Sequence, residues 1–195
     1  MKKPIVKQKS LVIACDRRRQ IYIDGYIDFK ATFIPAISWL LAFQCDNSFE
    51  PISVVIGHST GGQGIIGLSL FHLMRNAMVP VHTVVENFAG SAALDIFLGG
   101  SQRIMQRGSH VQPHFSARHE KEKDWDAMHA VQLAKYVDWC DQKTFHIFRK
   151  VTNLPITQIK ILFTAEQPID AKQAQELKIA TDIISVNRFN TLYHP

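Results

Sequence analysis

A serine at a junction between two predicted elements is the residue of this sequence best suited to nucleophilic chemistry. Ser91 lies among small residues in the run Ala89-Gly90-Ser91-Ala92, where a predicted strand passes into a predicted helix. A hydroxyl at a helix N-terminus lies beside backbone N–H groups that favour a developing negative charge. The same position also suits a serine that only caps the helix, so Ser91 by itself does not establish an active site.

A serine nucleophile needs a base, and His114 is the best candidate among the nine histidines of the sequence. His110, His114 and His119 all follow Ser91 at short range. His119 lies in a charged run and is expected to be solvated, whereas His114 ends a short apolar stretch. A histidine at such a position could take the serine proton during attack on a carbonyl carbon.

A glycine-rich run at another predicted strand-to-helix junction, residues 58–64, could supply backbone donors. It contains the pair Gly61-Gly62, and glycines let the chain turn its N–H groups toward a ligand. A tight turn that requires positive φ is an equally good explanation of the pair. The run is not a phosphate-binding P-loop, because no Lys-Ser/Thr follows at the required spacing.

Composition excludes several classes of protein. The chain has 195 residues, of which 46% are hydrophobic and 20% are charged, and this excludes disordered, collagen-like and coiled-coil chains. The net charge of +5 is mild, and much of the basic excess lies before residue 20, so no nucleic-acid partner is expected. Cys15, Cys45 and Cys140 show no metal-binding spacing, which indicates free thiols in a reducing cytoplasm.

Two apolar runs imitate targeting signals. Leu11 to Cys15 is too short for an export signal and is followed directly by three arginines. Phe29 to Phe43 contains a lysine and a proline and is shorter than a membrane span. We therefore expect a protein that is neither exported nor inserted in a membrane.

The elements that must position these residues alternate between strands and helices. We predict strands at 20–27, 51–57, 81–85, 103–106, 111–115 and 180–186, and helices at 29–44, 65–76, 91–98, 123–150, 156–163 and 171–177. Such alternation predicts an α/β fold with a mostly parallel sheet. No linker or repeat interrupts the chain, so we expect one domain over residues 1–195 with a basic N-terminal segment at 1–19.

From about residue 20 to residue 186 the chain resembles the Clp peptidase family, the proteolytic subunit of ATP-dependent Clp proteases. Four segments carry the resemblance. Residues 21–25 resemble the first strand of the family, residues 59–62 its Ser-Pro-Gly-Gly loop, residues 89–92 its Ala-Ala-Ser-Met turn, and residues 108–114 its Asn-Ser-Arg-Val-Met-Ile-His segment. Their order and the spacing between serine and histidine are more specific than any one segment.

The resemblance implies an activity and an assembly. Ser91 would be the nucleophile and His114 the general base, with the N–H groups of Gly61, Gly62 and Ala92 forming the oxyanion hole. The implied fold is of the Clp/crotonase type, with helices flanking the sheet and a long handle helix in the region of about 115–150. The implied protein is a homo-oligomeric ring, heptameric or in stacked pairs, that cleaves polypeptides with a partner ATPase and uses no cofactor or metal.

One departure concerns the third catalytic residue. Counting back from Ala171 and forward from Thr152, the catalytic aspartate of the family falls on Leu162, which cannot accept a hydrogen bond from the histidine. Loss of that carboxylate lowers the rate of a well-studied triad by roughly 10⁴. Glu166, about one helical turn further on, is our preferred substitute, while Asp170 could simply cap the following helix.

Two alternatives remain open from the sequence. The chain could be a catalytically weak or silent ring-forming subunit that scaffolds an active paralogue, an interpretation that Leu162 favours. It could also be a crotonase-like acyl-CoA enzyme, which would share the fold and a backbone oxyanion hole but would not need Ser91 and His114.

Overall fold

The computed structural model describes residues 9–46, 48–116 and 127–193. The strands are β1 Leu11–Cys15, β2 Gln20–Asp24, β3 Tyr26–Ile27, β4 Ile52–Ser59, β5 Gly61–Gly62, β6 Val81–Gly90, β7 Gln102–Gln106, β8 His110–Gln112, β9 Ile169–Asp170 and β10 Asp182–Ile184. The helices are α1 Ile34–Cys45, α2 Gly64–Arg75, α3 Ala92–Leu98, α4 Ala127–Thr152, α5 Ile156–Ala165, α6 Ala171–Glu176 and α7 Val186–Tyr193. A π-helical turn, Phe29–Phe33, precedes α1.

The main sheet has the strand order β1-β2-β4-β6-β7-β10. β1 is antiparallel to β2, and the other neighbours along this path are parallel. β6 is long enough to pair twice: its first half pairs with β7, and its last three residues, Phe88 to Gly90, pair with β8. The predicted α/β class with a mostly parallel sheet is confirmed, and the double pairing of β6 brings β8 beside the end of that strand.

The hydrophobic core lies between the sheet and the helices that cover it. Residues of the central strand β4 form a continuous apolar run, and Val54, Val55 and Ile56 are at most 2% exposed. α2 passes close to α3, because a Cβ at Gly67 would lie only 2.5 Å from the carbonyl oxygen of Ala92. This close approach of two helices holds the start of α3 against the end of β6.

Four elements were not predicted: the two-residue strands β5 and β9, and β1 and α7 near the ends of the described chain. β1 is an edge strand, and its apolar side chains Leu11 and Ile13 are 47% and 53% exposed. The inner strands, by contrast, were predicted from apolar runs that are buried. α7 packs through the fully buried Phe189 and otherwise carries few apolar residues. The apolar run of β1 belongs to the sheet, where it pairs with β2 in full register.

Arg19, the last residue of the basic segment at 1–19, is not solvated. Its side chain is buried, forms an ion pair with Asp46 and donates a hydrogen bond of 2.6 Å to the carbonyl oxygen of Phe43. Arg19 therefore fastens the turn before β2 to the end of α1. Residues 1–8 of the same segment lie outside the described residues.

The region after β6 also differs in its bounds from the prediction. The strand predicted at 111–115 ends at Gln112, because Pro113 has no N–H to continue the pairing. His114 therefore lies in the loop after β8. The long helix predicted from Lys123 is described from Ala127 to Thr152, and its predicted start and His119 lie outside the described residues. Within the described ranges, no helix combines the length and apolarity that a membrane span requires.

Candidate active site

Ser91 occupies an unusual backbone conformation at the turn from β6 into α3. Its φ is 51° and its ψ is −126°, a combination that non-glycine residues seldom adopt. Its N–H donates to the carbonyl oxygen of Gln112 at 3.1 Å, and its own carbonyl oxygen accepts from Leu94 and Asp95. The Ser91 hydroxyl does not cap α3, so the simple capping interpretation does not account for this residue. Strained residues of this kind cluster at functional sites.

The glycine pair of β5 lies directly against this turn. Gly61 has a φ of 101°, and a Cβ there would lie 2.5 Å from Ser91 Cβ and 3.1 Å from the amide nitrogen of Ala92. Gly61 donates its N–H to Ser59 Oγ at 3.2 Å, while Gly62 is the neighbour of Ile27 in the small β3–β5 pairing. Ala92 is the first residue of α3, so no carbonyl of its own helix can accept its N–H.

His114 is held in place by contacts of the two residues that follow it. The ring of Phe115 packs edge-on against Phe145 of α4 and Phe163 of α5, with centroid distances of 5.7 and 5.9 Å. The N–H of Ser116 donates to Asp141 Oδ1 at 2.9 Å. These contacts fasten the loop after β8 to α4 and α5.

The ring of His114 has an oriented hydrogen bond. Its Nδ1 lies 2.6 Å from the carbonyl oxygen of Phe115, and a carbonyl can only accept, so Nδ1 carries the proton in this contact. The neutral imidazole then presents an unprotonated Nε2, which is the form that can accept a proton from a hydroxyl.

One pocket brings Ser91 and His114 together. It is lined by Gly64, Ser91, Ala92, Leu94, Asp95, Pro113, His114, Ser116, Cys140, Asp141, Thr144 and Phe163. These residues come from the turn at Ser91 and the helix α3 that follows it, from the loop after β8 and from α4, with one residue each from α2 and α5. The sheet thus places in one pocket a serine and a histidine that are 23 positions apart in the sequence.

Asp95 is a pocket residue that the sequence did not single out. It lies on α3, is 4% exposed, and its Oδ1 has no hydrogen-bond partner among the described residues. Burial, assisted by the nearby charge of Asp141, raises the pKa of Asp95 to about 8, although the Thr144 hydroxyl acts in the opposite direction. An acidic residue inside the apolar run Ala92–Leu98 is the sequence signal that could have identified it.

The carboxylate chosen from the sequence lies elsewhere. Glu166 follows α5 with a φ of 50°, its side chain is exposed, and it is not among the residues that line the pocket. Its carbonyl oxygen accepts a hydrogen bond of 2.6 Å from Gln112 Nε2, which joins it to β8. Leu162 packs, partly buried, against the main hydrophobic core. Asp170 caps α6 by accepting a hydrogen bond of 2.8 Å from the Gln173 N–H, which is the capping role considered for it from the sequence.

Comparisons with known proteins identify the family and the fold. The family model described as Clp protease matches residues 7–187. Among solved structures, a variant of ClpP1 from Listeria monocytogenes is similar with a TM-score of 0.71 and 18% sequence identity, over 88% of this chain and 94% of that chain. At that identity the structural similarity establishes the fold. No curated protein matches the sequence.

Proposed function

Because the chain belongs to the Clp protease family, we propose that it is a serine endopeptidase that cleaves polypeptides through an acyl-enzyme. One observation carries the proposal. Ser91, in a strained conformation and with a hydroxyl that caps no helix, shares a pocket with His114, whose Nδ1 is already hydrogen-bonded. A nucleophile beside an oriented imidazole is the minimum machinery for acyl transfer.

In the proposed reaction, Ser91 Oγ attacks the peptide carbonyl carbon while its proton passes to His114 Nε2. The negative charge on the carbonyl oxygen is stabilised by backbone N–H groups of Ala92 and of the Gly61-Gly62 pair. Because Gly61 donates to Ser59 Oγ in the resting structure, we assign the larger contribution to Gly62. The C–N bond then breaks, His114 returns its proton to the leaving amine, and water hydrolyses the ester by the same steps in reverse.

We propose that two groups share the role of the family's aspartate. The Phe115 carbonyl oxygen fixes the tautomer and orientation of His114, but a neutral group does little to stabilise an imidazolium cation. Glu166 remains our proposed source of the negative charge. The backbone carbonyl oxygen of Glu166 accepts a hydrogen bond from Gln112, two residues before His114, so Glu166 lies beside the strand that leads to the histidine, although its exposed side chain is outside the pocket.

We further propose a ring-shaped homo-oligomer, heptameric or in stacked pairs, that works with a separate ATPase in the cytoplasm. Exposed apolar side chains on α1 and α4 support the assembly, and they include Leu41 and Trp39 on α1 and Val131 and Trp139 on α4. The sequence has no nucleotide-binding motif, so the ATPase would be another chain. Three free cysteines are consistent with a reducing compartment.

A fluorophosphonate probe tests the peptidase proposal, because it reacts only with an activated serine. We expect stoichiometric labelling of the wild type at Ser91, complete loss in Ser91→Ala, and a fall of about 100-fold or more in the labelling rate of His114→Ala. His110→Ala, which changes a half-buried histidine outside the pocket, is the matched control and should label normally. Absence of labelling in the assembled wild-type protein would refute the proposal.

The silent scaffold subunit remains the second candidate, because Leu162 stands at the family's aspartate position and packs in the hydrophobic core. A silent subunit would assemble normally and would not label. The acyl-CoA alternative receives no support from the family match, which is to Clp proteases.

A further inference from the structure

The pocket beside Ser91 contains a buried carboxyl group whose hydrogen-bonding capacity the described residues use only in part. Asp95 Oδ1 has no partner among the described residues, and Oδ2 lies 3.5 Å from Thr144 Oγ1, at the outer limit of a hydrogen bond. Leaving a buried acceptor without a donor costs free energy. A group from outside the chain can supply that donor, because Asp95 lines the same pocket as Ser91.

The charge of the pocket is complementary to a cation. A second carboxylate, Asp141 of α4, also lines it and is half-buried. His114 is the one nitrogen base among the described lining residues, and none of these is lysine or arginine. Among the described residues, two carboxyl groups and the Thr144 hydroxyl therefore line the same space with no lysine or arginine beside them.

The position of the pocket identifies which part of a substrate would enter it. Ser91 and Ala92 line the pocket, and we therefore assign it to the side chain of the residue whose carbonyl carbon Ser91 attacks. Asp95 lies about one helical turn, or about 5.4 Å, further along α3. A side chain that reaches it must be long.

From this geometry we infer that the pocket receives a lysine or arginine side chain on the N-terminal side of the scissile bond and pairs its cationic group with Asp95. The inference rests on the proposed peptidase activity of Ser91 and names its substrate class. A leucine or phenylalanine side chain would leave Asp95 buried without a partner. A glutamate side chain would bring its carboxylate beside the charge of Asp141, and like charges at short range repel.

The burial of Asp95 determines which protonation state of its carboxyl group meets an incoming cation. Because the pKa of Asp95 is raised to about 8, the carboxyl group of the empty pocket is mostly protonated at neutral pH. A bound ammonium or guanidinium group displaces that proton to solvent and forms a charge-assisted hydrogen bond. The titratable groups that share this space are Asp141 and Cys140 of α4 and His114 of the loop after β8.

Asp95 could instead act on the reaction through His114, and the two roles predict different results. Substitution of a residue that positions or stabilises His114 lowers kcat/KM for every substrate by the same factor. Substitution of a residue that binds the substrate side chain changes the ratio of kcat/KM between substrates. The decisive quantity is therefore the ratio of kcat/KM values for matched peptides.

The first experiment compares fluorogenic peptides that differ only in the residue before the scissile bond, with arginine, lysine, leucine or glutamate. We expect arginine and lysine to exceed leucine by about tenfold or more in kcat/KM, and glutamate to be poorest. In Asp95→Asn the arginine-to-leucine ratio should fall by about tenfold or more. Asp138→Asn, an exposed carboxylate of α4 outside the pocket, should keep the wild-type ratio. A wild-type preference for leucine, or an unchanged ratio in Asp95→Asn, would overturn the inference.

A second experiment needs no catalysis and separates this inference from the peptidase proposal. Benzamidine, a small aromatic cation, should bind to wild-type protein and to Ser91→Ala with similar affinity by calorimetry, and binding should be lost in Asp95→Asn. Equal binding to Asp95→Asn, or no binding to the wild type, would contradict the inference. Binding through Asp95 without fluorophosphonate labelling would refute the peptidase and leave the cation pocket in place.

Discussion

At the residue scale, the conformation of Ser91 links local strain to its proposed role. Residues held in sparsely populated backbone regions cost of order 1–3 kcal/mol each and persist only when neighbouring contacts fix them. Here the contacts are the hydrogen bond from the Ser91 N–H to Gln112 and the two that its carbonyl oxygen accepts. They hold the turn rigid and leave the hydroxyl without a capping role, as a nucleophile requires.

The role of Glu166 is tested by removing its charge without changing its size. Because only a carboxylate stabilises the imidazolium that forms during attack, we expect Glu166→Gln to lower the acylation rate by about 100-fold or more. Stopped-flow measurement of acylation by a chromogenic ester gives this rate. Glu176→Gln, an exposed glutamate at the end of α6, should react at the wild-type rate. A change of less than about threefold in Glu166→Gln would leave the Phe115 carbonyl oxygen as the group that orients His114.

Asp95 predicts a characteristic dependence of stability on pH. Its pKa is raised from an ordinary 3.8 to about 8 in the folded protein, mainly by burial. Between these values the unfolded chain is ionised at this residue and the folded chain is not. The stability contributed by neutral Asp95 is therefore fully present below about pH 4 and is lost as pH rises through about 8.

We expect Asp95→Asn, which cannot ionise, to gain stability relative to the wild type as pH rises from 4 to 8. The gain should be at most about 1.4 kcal/mol for each pH unit in this window. Chemical unfolding at pH 4, 6 and 8 measures it, with Asp138→Asn as the exposed control. If the unfolding free energies of Asp95→Asn and the wild type change in parallel with pH, Asp95 is ionised in the folded protein, and this result would contradict the prediction.

At the scale of elements, the approach of β5 to the start of α3 determines the oxyanion geometry. A methyl group at Gly61 would meet Ser91 Cβ at 2.5 Å, whereas one at Gly108 would meet nothing within 4 Å. Both glycines have positive φ, 101° and 92° respectively. Alanine at either position therefore carries a similar backbone penalty, and only Gly61→Ala displaces the nucleophile turn.

We expect Gly61→Ala to lower the fluorophosphonate labelling rate by about 100-fold or more, because its methyl group displaces Ser91 and the N–H of Ala92, and the loss of a single oxyanion donor has an effect of that size. Gly108→Ala should lose about 1 kcal/mol of stability and label at close to the wild-type rate. Labelling rates combined with chemical unfolding separate the two effects. Equal labelling of the two variants would mean that the Gly61 turn does not support the reaction.

The inner strands and their connecting helices could be predicted because buried strands read as apolar runs, which are local signals. The proposed pairing of Ser91 with His114 came from the resemblance to the Clp family, and both residues line one pocket of the structure. The environment of Asp95 could not be predicted from its neighbours in the sequence, because its partners in the pocket, Thr144 and Asp141 of α4, lie more than 45 positions away. Arg19 lies in a run of basic residues, and its burial could not be predicted because its partner Asp46 lies beyond an intervening helix.

At the scale of the whole molecule, the proposed ring requires surfaces that other copies of the chain can cover, and α1 and α4 carry exposed apolar side chains. On α1, Leu41 is 54% exposed, and on α4, Val131 and Trp139 are 55% and 43% exposed. Apolar side chains grouped on one helix are typical of protein–protein interfaces. We expect sedimentation to show a ring of several copies of the 22.1 kDa chain.

Charge on α4 should break this assembly. We expect Trp139→Glu to release subunits with the sedimentation of a single chain, because it would bury an unpaired carboxylate in the interface. Gln142→Glu, which introduces the same charge at an exposed polar position of α4, should assemble normally. A wild-type protein that sediments as a single chain would contradict the proposed ring.

The measurement that tests the central claim most directly is the mass of the protein shortly after it reacts with p-nitrophenyl acetate and is quenched in acid. We predict that each chain gains one acetyl group and that peptide mapping finds it on Ser91. Ser91→Ala should gain none, and His114→Ala should gain it far more slowly than the wild type. An unmodified mass for the assembled wild-type protein, or an acetyl group on another residue, would contradict the assignment of Ser91 as the nucleophile.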